Sequence, residues 1–309
     1  MKTLSLTHAP SILPLYARAA APLIPGASLL PFVPGGGGEI PELELELTGA
    51  QADPDAVAAY AKVCGFALRD HLPPTYPHLL AFPLHMAVMA DGSFPFGAVG
   101  LVHVENRIVQ RRPIGVDEEL TIRVRPTKLQ PHPKGRTFTL ETEALVGDET
   151  AWESVSTMLR RGKTDPEAKA DSGDFEPLPA DAPASAEWRL GGDLGRRYAA
   201  VSGDRNPIHM HSLTAKPLGF PAAIAHGMWT KARCLAALES RLPDAFSVDV
   251  RFRKPILLPG RVDFAAAGEN GDADIVFAVR DAERQIPHLD GRVRPAGAKK
   301  AKTGGKKAR

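Results

Sequence analysis

The segment richest in chemistry is Tyr198-Ala-Ala-Val-Ser-Gly-Asp-Arg-Asn-Pro-Ile-His209, followed downstream by Phe220-Pro-Ala-Ala-Ile-Ala-His-Gly-Met228. A carboxylate and an imidazole, here Asp204 and His209, form an acid–base pair when they share one side of a cleft. Such a pair moves protons at neutral pH or holds a single water between its members. Pro207 disfavours helical backbone at Asn206 and has no N–H to donate. A helix ending near Gly203 should therefore give way to a bent, largely extended loop over 204–209. That bend can turn Asp204 and His209 toward one small volume, with Asn206 bonding nearby backbone to hold the curl. Gly227 is the third part. It lies near the start of an apolar helix, where a bare N–H can approach an oxygen and the helix N-terminus favours negative charge. A donor there suits an oxyanion such as the enolate of a thioester.

The elements that must hold these residues occur twice. Tyr60-Ala-Lys-Val-Cys-Gly65 lines up with Tyr198-Ala-Ala-Val-Ser-Gly203, Tyr76-Pro77 with Phe220-Pro221, and Arg111-Arg112-Pro113-Ile114 with Arg253-Lys254-Pro255-Ile256. The order is kept, as a duplicated unit requires. The second copy gains about six residues just after Gly203, and they contain Asp204, Asn206 and His209. Each half has a short strand and then a helix: Glu and Leu alternate from Glu42 to Thr48, and a helix capped by Asp53 or Asp55 buries Val57, Tyr60, Ala61 and Cys64, with Gly192–Val201 as its counterpart in the second half. A buried helix follows, near Leu84–Ala90 in the first half and Ala222–Leu238 in the second. Strand-like runs complete each half: 98–109, 119–125, 136–145 and 152–160, then 245–253, 261–267, 274–280 and 287–294. One buried helix followed by an antiparallel meander is an α+β pattern, with a sheet wrapped on the helix. The divisions are an N-terminal extension (1–41), a first repeat (42–161), a Pro- and acid-rich linker (162–185), a second repeat (186–296) and a basic tail (297–309).

The motif resembles the signature of the MaoC-like dehydratases, the R-specific enoyl-CoA hydratase group of hot-dog proteins. It carries an aromatic residue, then Ser202-Gly203-Asp204, Asn206-Pro207, His209, and downstream His226-Gly227-Met228. The resemblance implies a double hot-dog fold with one catalytic repeat. It implies that Asp204 and His209 handle water and the α-proton on one face of the substrate, that the Gly227 N–H helps form an oxyanion hole, and that Asn206 positions the pair. It also implies reversible syn hydration and dehydration between trans-2-enoyl and (3R)-3-hydroxyacyl thioesters, of coenzyme A or an acyl carrier protein, with no metal or redox cofactor. The first half has Phe66 where Asp204 would align and lacks Asn-Pro-x-His. It serves as scaffold and acyl-pocket wall. Arg205, Arg251, Arg253 and Lys254 are the candidates for contacting the substrate's phosphates. A hot-dog thioesterase and a non-catalytic acyl-thioester-binding subunit are the competing readings.

Other features narrow the field. His209-x-His211 lacks the further ligands of a metal site, and His226 reads as packing or as a supporting hydrogen bond. Ser202 lacks a nucleophile elbow. Gly35–Gly38 lacks the flanking strand and helix of a phosphate cradle. Across 309 residues no apolar stretch is long enough for a membrane helix, and Pro14 and Arg18 interrupt the best candidate signal segment. Cys64 and Cys234 fit a reducing, cytoplasmic setting. The net charge of +2 arises from six basic residues in the tail set against six acids and two lysines in the linker. The body is neutral, so nucleic-acid binding is confined to the tail. Two repeats can pair within one chain as a monomer, or two such chains can form a homodimer.

Overall fold

Sequence periodicity does not announce the first two elements, a strand β1 (Lys2–Leu6) and a helix α1 (Ile12–Ala20). The computed structural model describes residues 2–21, 38–98, 100–127, 129–162, 167–168, 175–268 and 274–296. The basic tail, linker residues 163–166 and 169–174, and the glycine run other than Gly38 lie outside the described residues. Among the described residues, no helix is long and apolar enough to cross a membrane. The expected N-terminal extension is partly built into the fold, because β1 pairs in parallel with β2 (Leu43–Ala50).

The first repeat follows the polar and apolar patterning. Glu-Leu alternation gives β2 one buried face. Asp53 caps α2 (Pro54–Cys64), its carboxylate accepting from the Asp55 N–H at 3.0 Å, and Gly65 closes it at φ 85°. Helix α3 (Tyr76–Met89) lies against the sheet and is longer than the apolar run Leu84–Ala90 suggested. Strands β3 (Leu101–Gln110), β4 (Leu120–Pro126), β5 (Gln130–His132), β6 (Gly135–Val146) and β7 (Glu149–Arg161) complete this half. The second repeat supplies β8 (Ala186–Leu190), α4 (Leu194–Ser202), α5 (Pro207–Met210), α6 (Ser212–Ala215) and α7 (Gly227–Ala237). It ends with β9 (Phe246–Phe252), β10 (Gly260–Ala267), β11 (Ile275–Asp281) and β12 (Pro287–Pro295).

The strands form one sheet in the order β1-β2-β4-β6-β7-β3-β9-β12-β11-β10-β8, with β5 beside β6. Read outward from β3 and β9, the two halves are mirror images in order: β7, β6, β4, β2 on one side and β12, β11, β10, β8 on the other. β3 and β9 pair antiparallel at the seam, Ile108 opposite Val248 and Asn106 opposite Val250. The chain is therefore an α+β double hot-dog.

Two expectations change. Residues 204–209 are not extended throughout: Pro207 begins α5, with Asn206 as N-cap accepting from Ile208 N–H. Proline is pre-organised for a first helical position, where its missing N–H costs nothing. The apolar segment from Ala222 is also not helical at its start. Ile224 bridges Leu257, Ala225 N–H donates to the Ile256 carbonyl, and Leu258 N–H donates to that of Ala223. Phe220-Pro221 therefore does not open a helix as Tyr76-Pro77 does. The chain runs extended to His226, and α7 begins at Gly227.

Candidate active site

The geometry is set by where helices stop and start. Helix α4 ends at Gly203, whose φ of 76° admits the reversal that brings Asp204 inward. The Asp204 carboxylate Oδ1 accepts from the Asn206 N–H at 3.1 Å and from the Tyr16 hydroxyl at 3.2 Å. One turn of α5 then buries His209, whose Nδ1 donates to the Ile224 carbonyl at 2.8 Å. That bond fixes the tautomer and leaves Nε2 with a lone pair. Asp204, His209 and Gly227 all line one cavity of about 560 Å³. As the first residue of α7, Gly227 has no intrahelical partner for its N–H. A Cβ there would meet the Phe252 ring at 3.0–3.2 Å, so any larger residue must displace that ring or the helix start slightly.

His226 completes the cluster. Its ring stacks on His209 with centroids 3.7 Å apart, and its Nε2 donates to the Asp204 backbone carbonyl at 3.0 Å. The Asp204, His209 and His226 side chains each bring one ligand atom within 4.8 Å of the others, a spacing a metal could use. However, the His226 nitrogen 3.9 Å from the carboxylate Oδ2 is the one that donates to the carbonyl, so it has no lone pair for a cation. A proton-handling role suits these atoms better.

The local electrostatics separate the groups. Burial pushes the Asp204 carboxyl up, but the His226 and His209 rings, the Asn206 N–H and the Tyr16 hydroxyl together hold it below its ordinary value. Burial pushes His209 down, against the pull of Asp204 and the Ile224 carbonyl. His226 is pushed down to about 3 by burial and by His209. At neutral pH the site holds an ionised carboxylate beside two neutral imidazoles.

The other sequence candidates separate. Asn206 lines the cavity and caps α5. Lys254 and Arg253 are exposed residues on the cavity wall, and the Arg253 Nε pairs with Asp290 at 2.6 Å. Arg251 is buried, its guanidinium 4.2 Å over the Phe175 ring and bonded to the Phe175 carbonyl. Arg205 is exposed and is not among the cavity-lining residues. The residue that sequence reasoning missed is Tyr16. Its hydroxyl accepts from the Arg205 N–H at 2.6 Å and faces both Asp204 Oδ1 and the Gly203 carbonyl. Burial and the nearby carboxylate raise its pKa, so it stays protonated.

The fold and this site define a hot-dog dehydratase, and the chain belongs to the MaoC-like dehydratase family. Residues 174–290 match the family described as MaoC like domain. The whole chain is similar to 3-hydroxyacyl-thioester dehydratase X of Mycobacterium tuberculosis, 40% identical over 289 residues, covering 92% of this chain and 98% of that protein. A crystal structure of the same mycobacterial protein, HtdX, superposes with a TM-score of 0.71 at 38% identity, covering 82% of this chain and 99% of that one. A shorter stretch of 63 residues is 38% identical to 3-hydroxybutyryl-CoA dehydratase of Methylorubrum extorquens, covering 19% of this chain and 40% of that one. A MaoC-like dehydratase from Phytophthora capsici shares the fold, with a TM-score of 0.68 at 21% identity over 83% of this chain and 96% of that one.

Proposed function

We propose that this chain interconverts trans-2-enoyl and (3R)-3-hydroxyacyl thioesters by syn addition and removal of water. The thioester is carried by coenzyme A or an acyl carrier protein, and the setting is cytoplasmic fatty-acyl metabolism. One observation carries the reading: the Asp204 carboxylate, the His209 imidazole and the first N–H of α7 converge on a single cavity. The names of the mycobacterial and Methylorubrum relatives support a thioester substrate.

In hydration, a water between Asp204 and His209 attacks Cβ and gives its proton to the pair. The double-bond electrons move to the thioester oxygen, where the Gly227 N–H meets the enolate. The pair then returns the proton to Cα and the carbonyl re-forms. One water is added and the enzyme ends as it began. A single pair supplies both the oxygen and the proton, so both arrive on one face. Asn206 positions Asp204 through its N–H, while Lys254 and Arg253 carry charge suited to a phosphate-bearing substrate.

The decisive assay offers the purified chain short, medium and long trans-2-enoyl-CoAs, with chiral analysis of the product. The expected product is the 3R alcohol, and Asp204→Asn or His209→Ala should lower kcat/KM by about 10²–10⁴-fold. An S product, or near wild-type turnover by either variant, would overturn the reading. Thiol release without enoyl consumption would point instead to a thioesterase, and binding without turnover to a non-catalytic subunit.

A further inference from the structure

The same cavity extends from the catalytic cluster into the first repeat, where the proposed hydration uses no residue. Helix α3 lines it with His78, Phe82, His85 and Met89, and β3 adds His103. These histidines stand in a row. His103 and His78 stack with centroids 6.4 Å apart, and His78 and His85 are 5.0 Å apart. At its near end the row adjoins the reaction site, because the His103 ring is 5.0 Å from Phe252, the ring against which Gly227 packs.

Their hydrogen bonding is incomplete. His85 Nε2 is satisfied by the Thr142 hydroxyl at 2.8 Å. In contrast, His78 Nδ1 and His103 Nε2 are shielded from solvent and have no hydrogen-bond partner among the described residues, so a ligand oxygen in the cavity reaches them once the rings turn toward it. His78 is 8% exposed, so this is a polar ring more than nine-tenths buried on the wall of a ligand cavity. Such buried, unpartnered groups are uncommon and call for a physical reason. Hydrocarbon neighbours such as Phe82, Met89 and Leu140 would suit a plain alkyl chain throughout, and imidazoles among them would disfavour it.

The charge state narrows the ligand. Burial, followed by the Lys231 charge, pushes His78 down to about 4, and burial with His78 and Lys231 pushes His103 down to about 3. Both rings are neutral at physiological pH, each with one donor and one acceptor nitrogen. They match a hydroxyl or a ketone better than a carboxylate, which asks for cationic partners.

We propose that His78 and His103 form a hydrogen-bonding subsite for an acyl chain that carries a neutral oxygen function, a hydroxyl or a ketone, beyond the reacting carbons. The subsite deepens the thioester-hydratase reading and rests on it for the orientation of the chain. It makes the first repeat a reader of acyl-chain chemistry as well as a wall.

Equilibrium binding separates this inference from the catalytic one. Saturated acyl-CoAs are titrated calorimetrically in matched pairs, one with an alkyl chain and one with a hydroxyl or keto group at successive carbons beyond the β-position. At one position or more, the oxygenated member should bind at least about tenfold more tightly than its alkyl partner. His78→Leu and His103→Phe should each reduce that ratio toward one, and His78→Asn should retain part of it. The two variants occupy different elements, so a folding failure in one leaves the other informative. Equal or weaker binding of every oxygenated chain, or a ratio unchanged in the folded variants, would overturn the subsite. Hydration of plain enoyl-CoAs reports separately on the catalytic reading, because that reaction needs only the Asp204–His209 end.

Discussion

Tyr16 and Asp204 are 188 residues apart in sequence and 3.2 Å apart in space. The hydroxyl favours the charged form of the carboxylate it faces, one of the forces that hold Asp204 below its ordinary range. Removing it should raise the Asp204 pKa, so the acid limb of the pH profile should move to higher pH. Tyr16→Phe should also lower kcat/KM about tenfold, the effect of about 1.4 kcal/mol from one hydrogen bond to a charged group. A full pH–rate profile checks both parts, since a packing defect alone would lower the plateau without moving the limb. This residue also marks the limit of sequence reading. That Asp204, His209 and Gly227 would share one cavity was legible because they lie close together in sequence and each type has a chemical reason to face it. Tyr16 reaches the site through tertiary folding, and nothing near it in the N-terminal extension signals a partner in the second repeat. The cavity-facing role of His78 and His103 was hidden for the same reason, since it depends on α3 and β3 packing around a common space.

At the scale of elements, the proposed reaction depends on a helix beginning late. Hydropathy extends the α7 segment back to Ala222, because Ala, Ile and Ala look alike in a buried helix and a buried strand. The hydrogen bonds of Ala223 and Ala225 with the 256–258 segment decide for the strand. They deliver the first N–H of α7 to the cavity at Gly227. The alternation in β2, a cap at Asp53 or Asp55 and the glycine stop near 203 were legible because they are local rules. Gly227→Ala tests the helix start directly. Its Cβ would press on the Phe252 ring at 3.0–3.2 Å, so the ring or the helix terminus must move by a few tenths of an ångström. Alanine's better helix propensity offsets part of that crowding, so the melting midpoint should change little. The displaced N–H should nevertheless cost about 10–10² in kcat, because oxyanion donors act only at the right distance. A matched loss of stability and rate would instead make Gly227 a packing residue.

The cavity draws on both repeats, so the seam between them bears on the whole molecule's function. Lys231, wholly buried on α7, crosses that seam: its Nζ donates to Asn106 Oδ1 at 2.6 Å and to the carbonyls of Asn106 and Val248 at 3.2 Å. Asn106 in turn donates to the hydroxyls of Ser154 and Ser156. Burial holds the Lys231 amine well below its ordinary range, with Asp249 opposing. Cutting such a network on one side should harm more than replacing both sides, because a stranded polar group loses solvation and gains nothing. Asn106→Leu should therefore destabilise the chain by about 3–5 kcal/mol, and Lys231→Met by about 1–3 kcal/mol. The double variant should be more stable than Asn106→Leu alone, because a methionine leaves no buried amine to satisfy. Urea midpoints at unchanged slope give all three numbers. Simple addition of the two single penalties would show that the residues act independently. Because β3 carries His103 beside Asn106 and β9 carries Phe252, a loosened seam should also weaken acyl-CoA binding in proportion to the stability lost. Restored binding in the double variant would tie the integrity of the cavity to the pairing of the two repeats.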